Sequence, residues 1–197
     1  MSHVPTVEPS ASLHGSQSPT QILMQEHVVI EKVLAAMERL AERADRGQPL
    51  DRTAFDKVLE FLSGYADTGH HMKEEEALFP ALVDCGMPVL GSPIGVMLHE
   101  HEEGRTHLRA MRQALADLDR DPEGARRRLV VQARDYAYLL RQHIEKENQI
   151  LFQMADQMLD AAAVQNVLRK FAEADRELQD ARARHLRIVE ELEGTCT

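Results

Sequence analysis

The sequence predicts an all-α protein, an up-down-up-down four-helix bundle with an additional C-terminal helix. Three observations carry this. Ala, Leu, Glu, Arg, Gln and Met, all good helix formers, dominate the chain, while aromatics make up only 4% and Trp is absent. Apolar residues recur at steps of three and four through five long stretches, with little alternation of β-branched residues. Short segments with helix stop and start signals join the first four stretches, which makes neighbouring helices antiparallel.

Residues 1–17 are rich in Ser, Pro and His and lack helical periodicity, so they read as a disordered N-terminal tail in which His3 and His14 are incidental. Ser18-Pro19-Thr20-Gln21 supplies an N-cap, a Pro at the first helical position and the Gln of a capping box. A first helix over about 19–45 then buries Leu23, His27, Ile30, Leu34, Met37, Ala41 and Ala44, and Gly47-Gln48-Pro49 stops it. A second helix runs from about 51 to 82 with Phe55, Leu59, Leu62, Ala66, His70, Glu74 and Ala77 on one face. Ser92-Pro93 opens a third, over about 93–119, whose stripe is Ile94, Met97, His101, Gly104, Leu108, Met111, Leu115 and Leu118. Asp121-Pro122 opens a fourth, over about 122–159, with Leu129, Ala133, Tyr136, Leu140, His143, Glu147, Ile150 and Met154 in register. The bundle thus spans 18–160. Residues 161–197 form the additional helix, whose stripe from Val164 through Phe171 and His185 to Leu192 serves either the bundle or a homodimer partner.

The chain has 197 residues, enough for one domain with its own core. Its net charge of −10 argues against nucleic acid as a partner. The Arg126-Arg127-Arg128 run reads as a solvated helix face. No stretch approaches the ~20 apolar residues of a membrane span, and no secretory signal is visible at the N-terminus. The two cysteines, Cys85 and Cys196, form neither a disulfide framework nor a thiolate cluster, which suits a cytoplasmic protein.

Six polar residues interrupt the four bundle stripes: His27, His70, Glu74, His101, His143 and Glu147. Four of them form a repeat. Aligned on a shared Leu-Phe, His70-x-x-x-Glu74 falls on His143-x-x-x-Glu147, and the i,i+4 spacing stacks imidazole and carboxylate on one helix face. Burying unpaired carboxylates costs several kcal/mol each. Six such intruders call for one common explanation, which divalent cations supply. Nitrogen and oxygen donors without thiolate suit iron, manganese or zinc. The set is too large for one tetrahedral zinc and fits two ions, each with two His, bridged by Glu74 and Glu147. Six donors leave coordination positions for a small ligand. His71, Glu75, His99 and His107 fall off the stripes and read as surface groups or hydrogen-bonding partners. Glu31, four residues after His27, is a candidate to orient its ring. Tyr136 reads as core, and His185 as a packed or interface histidine.

These residues resemble the hemerythrin-like family, the HHE cation-binding domains. Glu26-His27, the His70-His71-x-Lys73-Glu74-Glu75 to Pro80 segment, Glu100-His101-Glu102 and His143-Ile144-x-x-Glu147 before Leu151-Phe152 carry the resemblance, over about 20–160. It implies a four-helix bundle around a non-haem di-iron centre with an oxygen-derived bridge. The oxygen-carrying members have a fifth His four residues after the third-helix ligand, where this chain has Arg105. The four-His, two-Glu set is similar to iron-centre repair proteins that respond to nitric oxide, which carry a Cys-bearing N-terminal segment; residues 1–17 contain no Cys. The function implied is binding or sensing of O2, NO or peroxide at two iron ions. The alternative is a di-iron oxidoreductase acting as peroxidase or catalase, or in NO stress and iron-centre repair.

Overall fold

A computed structural model describes residues 17–194. Most of the predicted N-terminal tail, with His3 and His14, and Cys196 lie outside the described residues. Among the described residues six continuous helices make up the fold. They are α1 (Pro19–Asp45), α2 (52–84), α3 (Pro93–Asp117), α4 (122–158), α5 (Ala161–Glu177) and α6 (Gln179–Gly194). The first four form the up-down-up-down bundle, with α1 and α3 each packed along α4 and both flanked by α2. Loops of a few residues connect them, so each neighbour runs antiparallel.

Local chemistry sets the helix ends. Ser18 and Gln21 form a complete capping box on α1, and Pro19 stands where its missing N–H costs nothing. The Asp51 and Asp121 carboxylates accept hydrogen bonds from the Ala54 and Gly124 amides at the starts of α2 and α4. Ser92 departs from the expectation: it precedes Pro93 in extended conformation, but its hydroxyl donates back to the Val89 carbonyl and caps no α3 amide.

Both α2 and α4 contain wide turns of π type. In α2 these are Leu62–His71 and Glu74–Leu78, and in α4 Glu147–Leu151. A π turn accommodates one more residue than an α turn and rotates all that follows. The α-helical stripe consequently fails just beyond Glu147. Ile150 is 51% exposed and Met154 only half-buried, while Leu151, Phe152 and Ala155 take the core positions. Leu78 and Phe79 do the same in α2.

The C-terminal region is two helices rather than the single one expected. The chain breaks at Leu178, whose φ of −99° and ψ of 9° leave the helical region. Both helices fold back on their own bundle. Phe171 of α5 joins the apolar cluster around Leu78 and Phe152, and Ile188, Val189 and Leu192 of α6 join the cluster built by α1 and α2. None of the described helices is long and apolar enough to cross a membrane.

The core is divided. One apolar cluster holds Ile30 to Ala44, Ala54 to Ala66, Leu108 to Leu115 and Leu129 to Ile144. The other holds Leu23, Ala77 to Leu82, Ile94 with Met97, and Leu151 to Ala155. On α1, α2 and α3 the polar intruders fall between the two clusters, and on α4 they flank Ile144, the last residue of the first cluster.

Candidate metal centre

The structure gathers all six residues in that intermediate layer, each at most 2% exposed. They form two linked groups. His27, His70, Glu74 and Glu147 offer one donor atom apiece within 4.8 Å of one another, and so do Glu74, His101, His143 and Glu147. The carboxylates span both groups. Glu74 points Oε1 at His70 Nε2 (3.7 Å) and Oε2 at His101 Nε2 (3.5 Å). Glu147 points Oε2 at His27 Nε2 (3.1 Å) and Oε1 at His143 Nε2 (3.2 Å).

Partners at the far side of each ring fix its orientation. The Nδ1 atoms of His70, His101 and His143 face carboxylate oxygens of Glu26 (3.0 Å), Glu75 (2.7 Å) and Glu100 (3.0 Å), and His27 Nδ1 faces Asn148 Oδ1 (2.9 Å). Carboxylate and amide oxygens only accept, so in the neutral rings the proton sits on Nδ1 and the Nε2 lone pair points inward. With all four rings neutral those lone pairs would meet head-on: His27 Nε2 and His70 Nε2 are 2.9 Å apart, and His101 Nε2 and His143 Nε2 3.2 Å. None of the four oxygens of Glu74 and Glu147 receives a well-formed hydrogen bond among the described residues. Opposed lone pairs and orphaned buried carboxylates are the pattern that cations relieve. The donor set therefore fits a pair of divalent ions.

The electrostatics agree. Burial pushes the Glu74 carboxyl well above its ordinary range, and the charge of Glu147 adds to the push. Glu147 goes the other way: burial opposes it, but His143 and His27 hold it well below the usual carboxylate range. One proton is thus held by the carboxyl pair. Burial lowers His70 to about 4. His143 also suffers burial, yet the charge of Glu147 and the hydrogen bond to Glu100 carry it up to about 9.

The supporting residues repeat as the ligands do. Glu26 and Glu100 each precede a histidine of the set, and each holds the ring of another. Lys73 and Lys146, each three residues beyond the ring so held, bond to these carboxylates in turn. The halves differ in their surroundings. Lys73 is buried against Glu26 (2.7 Å) and Asp175 (2.6 Å) of α5, and Arg182 of α6 adds a bond to Glu26 (2.8 Å). The side chain of Lys146 is 35% exposed. Burial raises the Glu26 carboxyl, but His70 and Lys73 together hold it well below the usual range. The C-terminal helices thus brace one ligand from behind.

Two off-stripe expectations, those for Glu31 and His71, need revision. Glu31 is exposed, and Asn148 rather than Glu31 orients His27. His71 is no surface group; it is 5% exposed, with its ring stacked on His101. Glu75 is a hydrogen-bonding partner, His99 is exposed, and His107 pairs with Gln132. His185 packs against Gly64, Phe61 and Tyr65 and belongs to none of the donor groups. Tyr136 is buried and also lines a cavity of about 10 Å³ with His71, His101, Gly104, Arg105 and His143. That is about the volume of one water molecule. Sequence reasoning missed Glu26, Lys73 and Asn148, although Glu26 and Lys73 stand within the quoted motifs.

The description "Hemerythrin HHE cation binding domain" matches residues 18–155. An iron-sulfur cluster repair protein, DnrN of Neisseria gonorrhoeae, is 38% identical over 86 residues, 42% of this chain and 54% of that protein. The chain therefore spans about half the length of this relative. No solved structure gives a significant match.

Proposed function

The chain belongs to the hemerythrin HHE cation-binding family, and from that premise we propose that it holds two iron ions and binds or senses O2, NO or peroxide. One ion would take His27 and His70, the other His101 and His143, with Glu74 and Glu147 shared between them. Manganese or zinc could replace iron in the same donors. The observation that carries this reading is the set of four orphaned carboxylate oxygens facing four inward Nε2 atoms. Bound iron would supply redox chemistry and open coordination positions.

The chain's own residues do the rest. Glu26, Glu75, Glu100 and Asn148 keep the Nδ1 protons in place, so every Nε2 lone pair stays available. The apolar clusters on either side exclude bulk water. The narrow cavity beside His101 and His143 has room for about one water-sized group and excludes an organic substrate. A cytoplasmic setting goes with this reading, since a reducing compartment keeps Cys85 a free thiol.

The test is anaerobic loading with ferrous ion, metal analysis, then titration with O2 and with NO. About two ions per chain and an optical change with either gas are expected. A chain that takes up less than one ion, or spectra unchanged by both gases, overturns the proposal. A second reading, a di-iron oxidoreductase active against peroxide or in NO stress or iron-centre repair, draws support from the relative's name. Steady turnover of peroxide or NO that disappears in Glu74→Ala would favour it.

A further inference from the structure

The six donors repeat between the two halves of the centre, but the buried residue that follows the repeated histidine does not. His71 follows His70, whereas its counterpart after His143 is Ile144. Both are buried, but only His71 brings donor atoms. Its Nδ1 and Nε2 lack any hydrogen-bond partner among the described residues, which is costly for a fully buried ring. The nearest acceptor behind it is Asp67 Oδ1, 3.5 Å from Nδ1. Arg105 holds that carboxylate (2.8 Å) and reaches on to Glu75 (2.6 Å), the partner of His101. His71 is therefore backed by a carboxylate as three of the four other rings are, at a longer distance. Its ring lies parallel to His101, centroids 3.9 Å apart, and meets His143 edge-on at 5.7 Å. One donor atom from each of His71, His101 and His143 falls within 4.8 Å of the others. Donors opposite each other on an ion with bonds of ~2.1 Å stand about 4.2 Å apart.

The geometry points to His71 as a third imidazole ligand of the ion held by His101 and His143. This rests on the two-ion reading and adds an asymmetry to it: one ion has four protein donors, the other five. The π turns explain how adjacent residues share the task. In the wide turn Leu62–His71 the ring after His70 is not carried a full α step away, so both face inward. His71 also lines the narrow cavity, so a ligand arriving there competes with its ring.

The experiment uses the full chain loaded anaerobically with 57Fe(II), read by metal analysis, Mössbauer spectroscopy and chelator competition. His71→Ile installs the residue of the other half and keeps an apolar core. The wild type should hold two ions with two unlike ferrous doublets of equal area. In His71→Ile one doublet should shift and its ion should bind about 100-fold more weakly, with the other unchanged. Two ions held with unchanged doublets and affinities in His71→Ile would overturn the inference and leave the two-ion reading standing. A wild type that fails to bind two ions would end both. Should His71→Ile misfold, His71→Ala carries the test. Recovery of the weakened ion by added imidazole supports ligation. Indifferent binding overturns it, as does an equal shift of both doublets that imidazole does not reverse.

Discussion

Replacing Glu26 by Gln, beside the matching change Glu100→Gln, gives an internally controlled experiment. Each carboxylate holds the Nδ1 of a histidine at 3.0 Å and accepts a bond from a lysine three residues further on. Only the surroundings differ. The Lys73 side chain is 1% exposed and cannot rehydrate, while that of Lys146 is 35% exposed and can. Removing one partner of a buried ion pair costs roughly 3–5 kcal/mol. Asp175 still faces Lys73 at 2.6 Å, so the low end, about 3 kcal/mol, is expected for Glu26→Gln. For Glu100→Gln the loss should not exceed about 1 kcal/mol. A chain of this size shifts by about 2–4 °C per kcal/mol, so the metal-free Glu26→Gln protein should melt about 6–12 °C early and Glu100→Gln only a few degrees early. Circular dichroism melts of the metal-free proteins decide it. Equal losses in the two variants would refute the claim that α5 and α6 seal one half of the centre. Metal affinity should fall by about 10–100-fold in both, because both lose a ring-orienting carboxylate.

Two further outcomes follow from the geometry. Metal uptake should release protons, since Glu74 is held protonated well above its ordinary range and His143 up to about 9. Both groups must lose their protons to ligate, so apparent affinity should climb from pH 6 to pH 9. Chelator competition across that range tests it, and a flat profile counts against the assigned donors. Gly64→Ala should destabilise by about 1–2 kcal/mol: a Cβ there would lie 2.3 Å from the His185 ring, and overpacking of this kind outweighs the ~1 kcal/mol that Ala gains in a helix. In a His185→Ala background the same change should stabilise instead, by urea denaturation. Destabilisation in both backgrounds would mean that the His185 contact is not the cause.

Much of this was readable from the chain because the bundle is built from local rules. Three-four spacing, a capping box at Ser18 and the Asp-Pro start at 121–122 mark helices whose ends agree with the structure to within about two residues. The six inward donors were legible as polar breaks in apolar stripes; α1 and α3 are α-helical through their donors and α4 through His143, while in α2 the wide turn from Leu62 precedes His70 without turning it out of the core. What followed was not. Ile150, Met154 and His71 were misplaced for one reason: the stripe assumes 100° per residue, and the π turns violate it without any composition signal. The break at Leu178 is hidden likewise, since the three-four stripe continues straight through it. The burial of Glu26 and Lys73 depends on Asp175 and Arg182, more than 100 residues away. No local pattern announces a pairing across that separation.

The wide turns have a consequence for how this bundle tolerates change. Each keeps a spare residue in the backbone at the level of the donors, so a one-residue deletion there would tighten the coil instead of shortening a loop. Everything beyond would swing by about a quarter of a revolution, carrying Leu78 and Phe79, or Leu151 and Phe152, out towards water. Length variation should therefore gather in the connections, while the spacing from each histidine to its Leu-Phe stays fixed.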